Sequence, residues 1–252
     1  MRYRIGTIAL LGLLVLVGAV ALARSAGLTA PFPGIDRVES AAEAARNGDR
    51  ETVLLVADKP ITAAELTEME HWVAANLAWM GEVGTRMAVT DEQRAFLERQ
   101  ARLIEEYGKP TVALAALIVD RTLEAEAQRQ GLWPDERTVQ ARVERDRDLA
   151  ATSDDPRIEA YLQAFGETAF WQVHYPRVVA LEIAKERLYQ ERTKDEPDPT
   201  RRQARWLAEE RALVLGAPIE VVVPERLPAS IDAVVEYLKQ YYDLQSSVSS
   251  TG

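Results

Sequence analysis

Apolar residues recur at the spacing of a helix face through most of this 252-residue chain. Thr62 and Glu65 lie three positions apart, as in a capping box that opens a helix. The apolar side chains that follow are three or four positions apart, which places them on one face: Leu66, Met69, Val73 and Leu77. The pattern predicts a mostly helical fold.

Glycine and proline divide this helical pattern into segments. Gly81 and Gly84 are expected to break the helix that begins at Thr62, and Pro176 is expected to bend or restart a later one. Residues 111–130 are apolar almost all round in their first half, which predicts a buried central helix ended by Gly131. The other helices are predicted over residues 35–47, 91–107, 134 onward, 155–165, 167–192, 201–215 and 230–242.

Two short β-branched runs interrupt the helices, at residues 52–57 and 219–223. Each is too small to form a sheet alone, and an isolated strand leaves backbone groups unpaired. We therefore predict that the two runs pair as a two-stranded sheet, which joins the N- and C-terminal segments of the helical domain. Leu55 and Val221 should then lie close together.

The N-terminal residues predict export and membrane attachment. An uncharged run at residues 5–23 follows Arg2 and Arg4, and as a helix it would be about 28 Å long, close to the thickness of a bilayer core. Residues 1–24 are predicted to be a signal anchor, with the N-terminus cytoplasmic and the main domain extracytoplasmic. Cleavage after Ala21-Leu22-Ala23, which would release a secreted protein, is the alternative.

The remaining chain divides into a linker with a short helix at 25–50, a helical domain at 51–224, and a helix with a disordered tail at 225–252. The chain carries 30 Lys and Arg against 40 Asp and Glu, a net charge of −10. Such an acidic body argues against a nucleic-acid partner, because phosphate binding requires basic surface. No cysteine is present, which excludes disulfides and thiolate sites.

Catalytic and cofactor patterns are not found in the sequence. His71 lies one helical turn from Glu68, but no further ligand completes a metal site there, and His174 has no carboxylate near it in sequence. The chain has no nucleophile-elbow serine and no nucleotide-binding glycine motif. We therefore predict no cofactor, no metal, no nucleotide and no enzymatic activity.

Aromatic and methionine side chains form the other chemical pattern. As a group they suit a surface that binds varied apolar peptides, because methionine adapts its shape and aromatic rings offer broad faces. For any single residue, ordinary core packing is the alternative. The candidate substrate-binding residues are Trp72, Trp79, Met80, Met87, Trp171 and Tyr175. Of these, Trp79, Met80 and Met87 flank the glycines where packing should be thinnest.

Three stretches resemble the SurA N-terminal-like family, the peptide-binding core of periplasmic SurA chaperones and of PrsA-type foldases. Residues 53–66 (VLLVADKPITAAEL) are similar to that family's opening strand, turn and helix start. Residues 117–143 (LIVDRTLEAEAQRQGLWPDERTVQARV) are similar to its central helix, E-A-x-x-x-G turn and next helix. Residues 205–223 are similar to its closing helix and strand. The resemblance implies a bacterial chaperone, a holdase or foldase for unfolded or nascent exported polypeptides.

The chain departs from that family in two places. Members commonly insert a parvulin prolyl-isomerase domain before the closing helix, where this chain has only residues 193–200. Relatives of the PrsA type are often lipid-anchored through a cysteine, which is absent here. We therefore expect no isomerase activity. A degenerate prolyl isomerase of that family and a membrane-surface adaptor for one dedicated partner complex are the alternatives.

Overall fold

The computed structural model describes residues 35–87, 91–153 and 156–249, and these residues are mostly helical, as predicted. The predicted anchor at 1–24 lies outside the described residues, as do the first part of the linker and the end of the tail. No helix within the described ranges combines the length and apolarity needed to cross a membrane. The helices are α1 Ile35–Asn47, α2 Ala63–Met87, α3 Asp91–Tyr107, α4 Lys109–Arg129, α5 Glu136–Ala150, α6 Pro156–Phe165, α7 Glu167–Ala169, α8 Tyr175–Thr193, α9 Pro199–Leu215 and α10 Ile231–Ser249.

The strands β1 Thr52–Val56, β2 Lys59–Thr62 and β3 Ile219–Val221 form one antiparallel sheet in the order β2-β1-β3. Opposite residues are Leu54 and Val221, Leu55 and Glu220, and Val56 and Ile219. The predicted pairing of the two distant runs is therefore confirmed. The sheet joins segments that lie about 165 positions apart in the chain, and so fixes the two ends of the helical domain together.

The prediction of a two-stranded sheet is wrong, because β2 adds a third strand. The turn between β1 and β2 has only two residues, Ala57 and Asp58, with φ angles of 49° and 64°. Positive φ at both positions is the conformation of the tight hairpin turn that matches strand twist. The usual sequence pattern for this turn contains glycine, and its absence hid the hairpin.

Helix α2 begins as predicted but does not end as predicted. The Glu65 N–H donates to Thr62 Oγ1 at 3.2 Å, and the Thr62 N–H donates to Glu65 Oε2 at 2.9 Å, which completes the capping box. The helix then continues through Gly81 and Gly84 to Met87. A glycine costs about 1 kcal/mol in a helix interior, which is too little to end a helix by itself.

Two adjacent apolar cores hold the helices. The first lies against the sheet and includes fully buried Leu54, Leu114 and Ile118, with α4 buried nearly all round as predicted. The second is rich in aromatic residues and joins α1, α2, α5, α6 and α8. Helix α1 contributes Val38 to the second core, and α10 contributes Tyr237 to the first. The two cores therefore include side chains from before residue 50 and after residue 224.

Candidate functional site

The candidate binding residues fall into two groups, and Trp79 with Met80 forms the accessible one. Both lie in the second half of α2 and are partly exposed. Trp79 packs against the edge of the aromatic core, and Met80 packs against the edge of the sheet core. This part of α2 therefore presents an aromatic ring and a thioether along the boundary between the two cores. Met87 ends the same helix.

Trp72, Trp171 and Tyr175 lie inside the aromatic core. Trp72 is 2% exposed, and its ring stacks with Phe165 at a centroid distance of 6.0 Å. The Tyr175 hydroxyl donates to Asp146 Oδ2 at 3.1 Å, which satisfies a buried hydroxyl. For these three residues the structure favours core packing, the alternative that sequence patterns left open.

A π-helical turn at Phe170–His174 connects α7 to α8. Pro176 follows it in the first turn of α8, where its ring nitrogen has no N–H to donate, and the helical backbone continues from α7 through the π turn into α8. The turn directs Phe170 into the core and leaves Val173 65% exposed. Turns of this kind often occur at functional sites.

The same turn brings His174 against Glu68 of α2, 106 positions away in the chain. The distance from His174 Nδ1 to Glu68 Oε1 is 3.6 Å, and the Trp72 Nε1–H donates to the same oxygen at 3.4 Å. The His174 ring lies 4.2 Å from the ring of Phe165. The sequence suggested Glu68 as a neighbour of His71, and no local pattern pointed to His174.

Burial shifts both titrating groups of this pair toward their neutral forms. Burial, together with the smaller effect of the nearby Arg177, lowers the pKa of His174 to about 4. Burial also raises the pKa of Glu68, against the opposing effects of its hydrogen bond from Trp72 and of Arg177. The folded protein therefore favours the neutral imidazole, and protonation of His174 would destabilise the aromatic core around it.

The free energy of unfolding should therefore depend on His174 in mildly acid solution. Because its folded pKa is below the unfolded value near 6.5, the unfolded chain binds the proton first as the pH falls. We expect this group to remove about 3 kcal/mol of stability between pH 6.5 and pH 4. Urea unfolding of His174→Phe against the wild type measures the effect. The variant should gain stability relative to the wild type across this pH interval.

Glu68 is the necessary control for that measurement, because its raised pKa acts in the opposite direction. The folded Glu68 carboxyl takes up a proton before the unfolded one, so its contribution is lost as pH rises. Glu68→Gln removes this titration and leaves the imidazole in place. The comparison is between Glu68→Gln alone and the double variant Glu68→Gln with His174→Phe. If the free energy of unfolding depends on pH in the same way in both, His174 is not the titrating group.

A second, partly buried ionic cluster centres on Lys185 of α8. Its Nζ donates to Asp120 Oδ1 at 3.0 Å and lies 3.8 Å from Glu182 Oε1. Burial raises the pKa of Glu210 of α9, which accepts from the Tyr242 hydroxyl at 3.0 Å. One ammonium therefore faces carboxyl groups from three helices. Sequence reasoning missed this cluster, although a lone aspartate at the end of the apolar run of α4 was a usable signal.

The arrangement of the described side chains differs from that of a metal site. Among the described residues, no three His, Asp or Glu side chains are placed to hold a metal ion. A recess between α1 and α6 is open and polar, and acidic side chains such as Glu39 and Glu43 line it. The described surface carries apolar side chains that are accessible to solvent. Trp79 and Met80 are partly exposed, and Leu149, Val173 and Val222 are more exposed.

Comparison of the chain with protein-family models, with curated proteins and with solved structures gives no match.

Proposed function

We propose that this chain is a membrane-anchored extracytoplasmic chaperone that holds unfolded exported polypeptides without ATP. The observation that carries the proposal is the sheet that joins residues 52–56 to residues 219–221, since the resemblance to SurA-type peptide-binding cores depends on that closure. The opening hairpin, the capped start of α2 and the closing α9–β3 unit occur in the order that the resemblance requires.

The connection between α8 and α9 supports a holding function over an isomerase function. Helix α8 ends at Thr193 and α9 begins at Pro199, so a five-residue link stands where parvulin-bearing relatives carry a catalytic domain. The proposal therefore assigns binding to this domain and includes no prolyl isomerisation.

The surface of α2 near Trp79 and Met80 supports the choice of apolar polypeptide as the ligand. Both side chains are partly exposed beside a packed core, so they keep a fixed position and still offer apolar area. A flexible thioether next to a broad ring accommodates many sequences, which a general chaperone requires. The net charge of −10 would keep the complex soluble while such surfaces are occupied.

The test measures aggregation of a chemically unfolded model protein in the presence of the full chain held in lipid nanodiscs. The wild type should suppress light scattering at a stoichiometric ratio. Trp79→Gln with Met80→Gln should weaken client binding at least tenfold, about 1.4 kcal/mol, because the variant loses apolar contact area at the client surface. Glutamine keeps the helix propensity of the site.

Leu149→Gln is the matched control, because it removes an exposed apolar side chain from α5 and leaves α2 unchanged. It should suppress aggregation as the wild type does. Equal melting temperatures would establish that all variants are folded. A wild-type chain that leaves scattering unchanged at stoichiometric ratio would exclude the holding function.

A further inference from the structure

The hydrogen bonds between β1 and β3 determine which backbone groups of β3 face outward. The Ala57 N–H donates to the Pro218 carbonyl, and the Val222 N–H donates to the Val53 carbonyl, each at 2.9 Å. In an antiparallel pair, alternate residues bond to the neighbouring strand. Glu220 therefore bonds toward β1, whereas the N–H and C=O groups of Ile219 and Val221 point away from it.

The opposite edge of the sheet is closed. In β2 the outward residue is Pro60, which has no N–H to donate. Its carbonyl accepts a hydrogen bond from Arg121 Nε of α4 at 2.9 Å. A further strand cannot pair with β2, because its one outward donor is missing and its outward acceptor is occupied.

The β3 edge is not closed by a missing donor and an occupied acceptor, as β2 is. Within the described ranges, no residue is hydrogen-bonded to the outward backbone groups of Ile219 or Val221. Sheet edges are commonly protected by lysine, proline, bulges or a covering element. Here the protection comes from the shortness of β3, from the charge of Glu220 and from the flanking Pro218 and Pro224, which leave only Ile219 and Val221 to pair with a further strand. Glu220 and Val222 are exposed, Val222 to 45%.

We propose that the β3 edge binds an extended segment of an unfolded polypeptide as a fourth strand of the sheet. This inference rests on the proposed function and adds its binding mode. Backbone pairing recognises any extended chain, so it provides affinity without demanding a particular sequence. The ligand class is an extended peptide with a basic or neutral residue opposite Glu220 and apolar residues beside it.

Charge argues for a client peptide in place of a second copy of this chain. Two copies that use the outward groups of both Ile219 and Val221 would pair around a two-fold axis with Glu220 opposite Glu220. Like charges directly opposite in a sheet are destabilising. Each copy also carries a net charge of −10, which adds repulsion. A basic segment of an unfolded protein meets neither obstacle.

The edge is also short enough to release its ligand. Two outward residues offer four hydrogen bonds, and each contributes only about 0.5–1.5 kcal/mol net. Binding through this edge alone would be weak, so a client would need additional contacts, such as the apolar surface at Trp79 and Met80. A weak backbone site used together with a separate adaptable apolar site would allow a chain to bind and leave without ATP.

The test compares Val221→Pro with Val221→Ala in the full chain in nanodiscs. Val221 N–H points away from β1, so proline removes an outward donor without removing a β1–β3 hydrogen bond, whereas alanine removes only the side chain. The probe is a labelled ten-residue peptide of alternating valine and lysine, followed by fluorescence anisotropy. We expect the proline variant to bind at least tenfold more weakly than the alanine variant. The same peptide with alternate backbone nitrogens methylated should fail to bind the wild type.

Equal affinities of the proline and alanine variants, or unchanged binding of the methylated peptide, would overturn the proposal. If Val221→Pro does not fold, Ile219→Pro against Ile219→Ala provides the same comparison. A wild-type dimer that Val221→Pro dissociates, with no peptide bound, would assign the edge to a second copy instead.

The aggregation assay separates this inference from the proposed function. If the proline variants suppress aggregation as the wild type does and their peptide affinity is unchanged, the proposed binding at the β3 edge is wrong and the proposed chaperone function stands. If the wild type fails to suppress aggregation but Val221→Pro still weakens peptide binding, the proposed chaperone function is wrong and the proposed binding at the β3 edge stands.

Discussion

Replacing Lys185 with methionine is expected to lower the free energy of unfolding at pH 7 by up to about 3–5 kcal/mol, the cost of removing one partner of a fully buried ion pair. The Lys185 side chain is 18% exposed, and its ammonium is hydrogen-bonded to Asp120. Methionine keeps most of the side-chain volume and removes the charge. The carboxyl groups of Asp120, Glu182 and Glu210 would then face one another without a cation.

The loss should become smaller as the pH is lowered from 7 to 5. Burial is the largest effect that raises the pKa of Glu182 and of Glu210, and Lys185 opposes it in both. Without Lys185 these pKa values rise further above those of the unfolded chain. A group with a raised folded pKa stabilises the protein at low pH and loses that contribution as pH rises. The Lys185→Met variant therefore loses the most stability near neutral pH.

Urea unfolding with linear extrapolation at the two pH values measures this difference. Lys194→Met is the matched control, because Lys194 pairs with Glu191 on an exposed helix face, where ion pairs contribute little. It should leave the unfolding transition nearly unchanged at both pH values. If the two methionine variants behaved alike, Lys185 would not be the cation that holds this cluster.

Local rules accounted for the parts of the fold that depend on near neighbours. The pair Thr62 and Glu65 marked a helix start, and the β-branched runs marked β1 and β3, because capping and strand propensity act within a few residues. The join between β1 and β3 followed from the need to pair isolated strands. The hairpin at Ala57 and Asp58 was missed, because two residues other than glycine adopt positive φ in its turn.

The candidate site was only partly predictable, for a related reason. Aromatic side chains serve both cores and binding surfaces, and sequence spacing does not separate the two uses. Trp72 and Trp171 are buried, whereas Trp79 on the same helix as Trp72 is partly exposed. The pairing of Glu68 with His174 and that of Asp120 with Lys185 join distant helices, so local spacing does not identify the partner of either carboxylate.

Leu55 of β1 lies opposite Glu220 of β3. A disulfide between cysteines at these two positions therefore tests whether the two strands pair. Residues that exchange both backbone hydrogen bonds in an antiparallel pair have Cα atoms about 5.5 Å apart, within the range that a disulfide spans. The chain has no cysteine, so Leu55→Cys with Glu220→Cys gives a single possible intramolecular bond. Closing a loop of this length should stabilise the oxidised form by up to about 5 kcal/mol.

Leu55→Cys with Val222→Cys is the control for register. Val222 is opposite Val53, so these two Cα atoms are separated diagonally by two further positions along the strand. Their separation exceeds about 7 Å, beyond which a disulfide requires backbone movement. This pair should oxidise far more slowly and give little stabilisation.

The most direct measurement is the yield of the Leu55–Glu220 cysteine bond under mild oxidation of the folded chain, followed by non-reducing electrophoresis and peptide mass mapping. Rapid, nearly complete formation of a monomeric crosslinked product is the predicted result. Free thiols or only intermolecular products, in a chain that remains folded, would mean that β1 and β3 do not meet. The resemblance and the proposed peptide edge would then lose their basis.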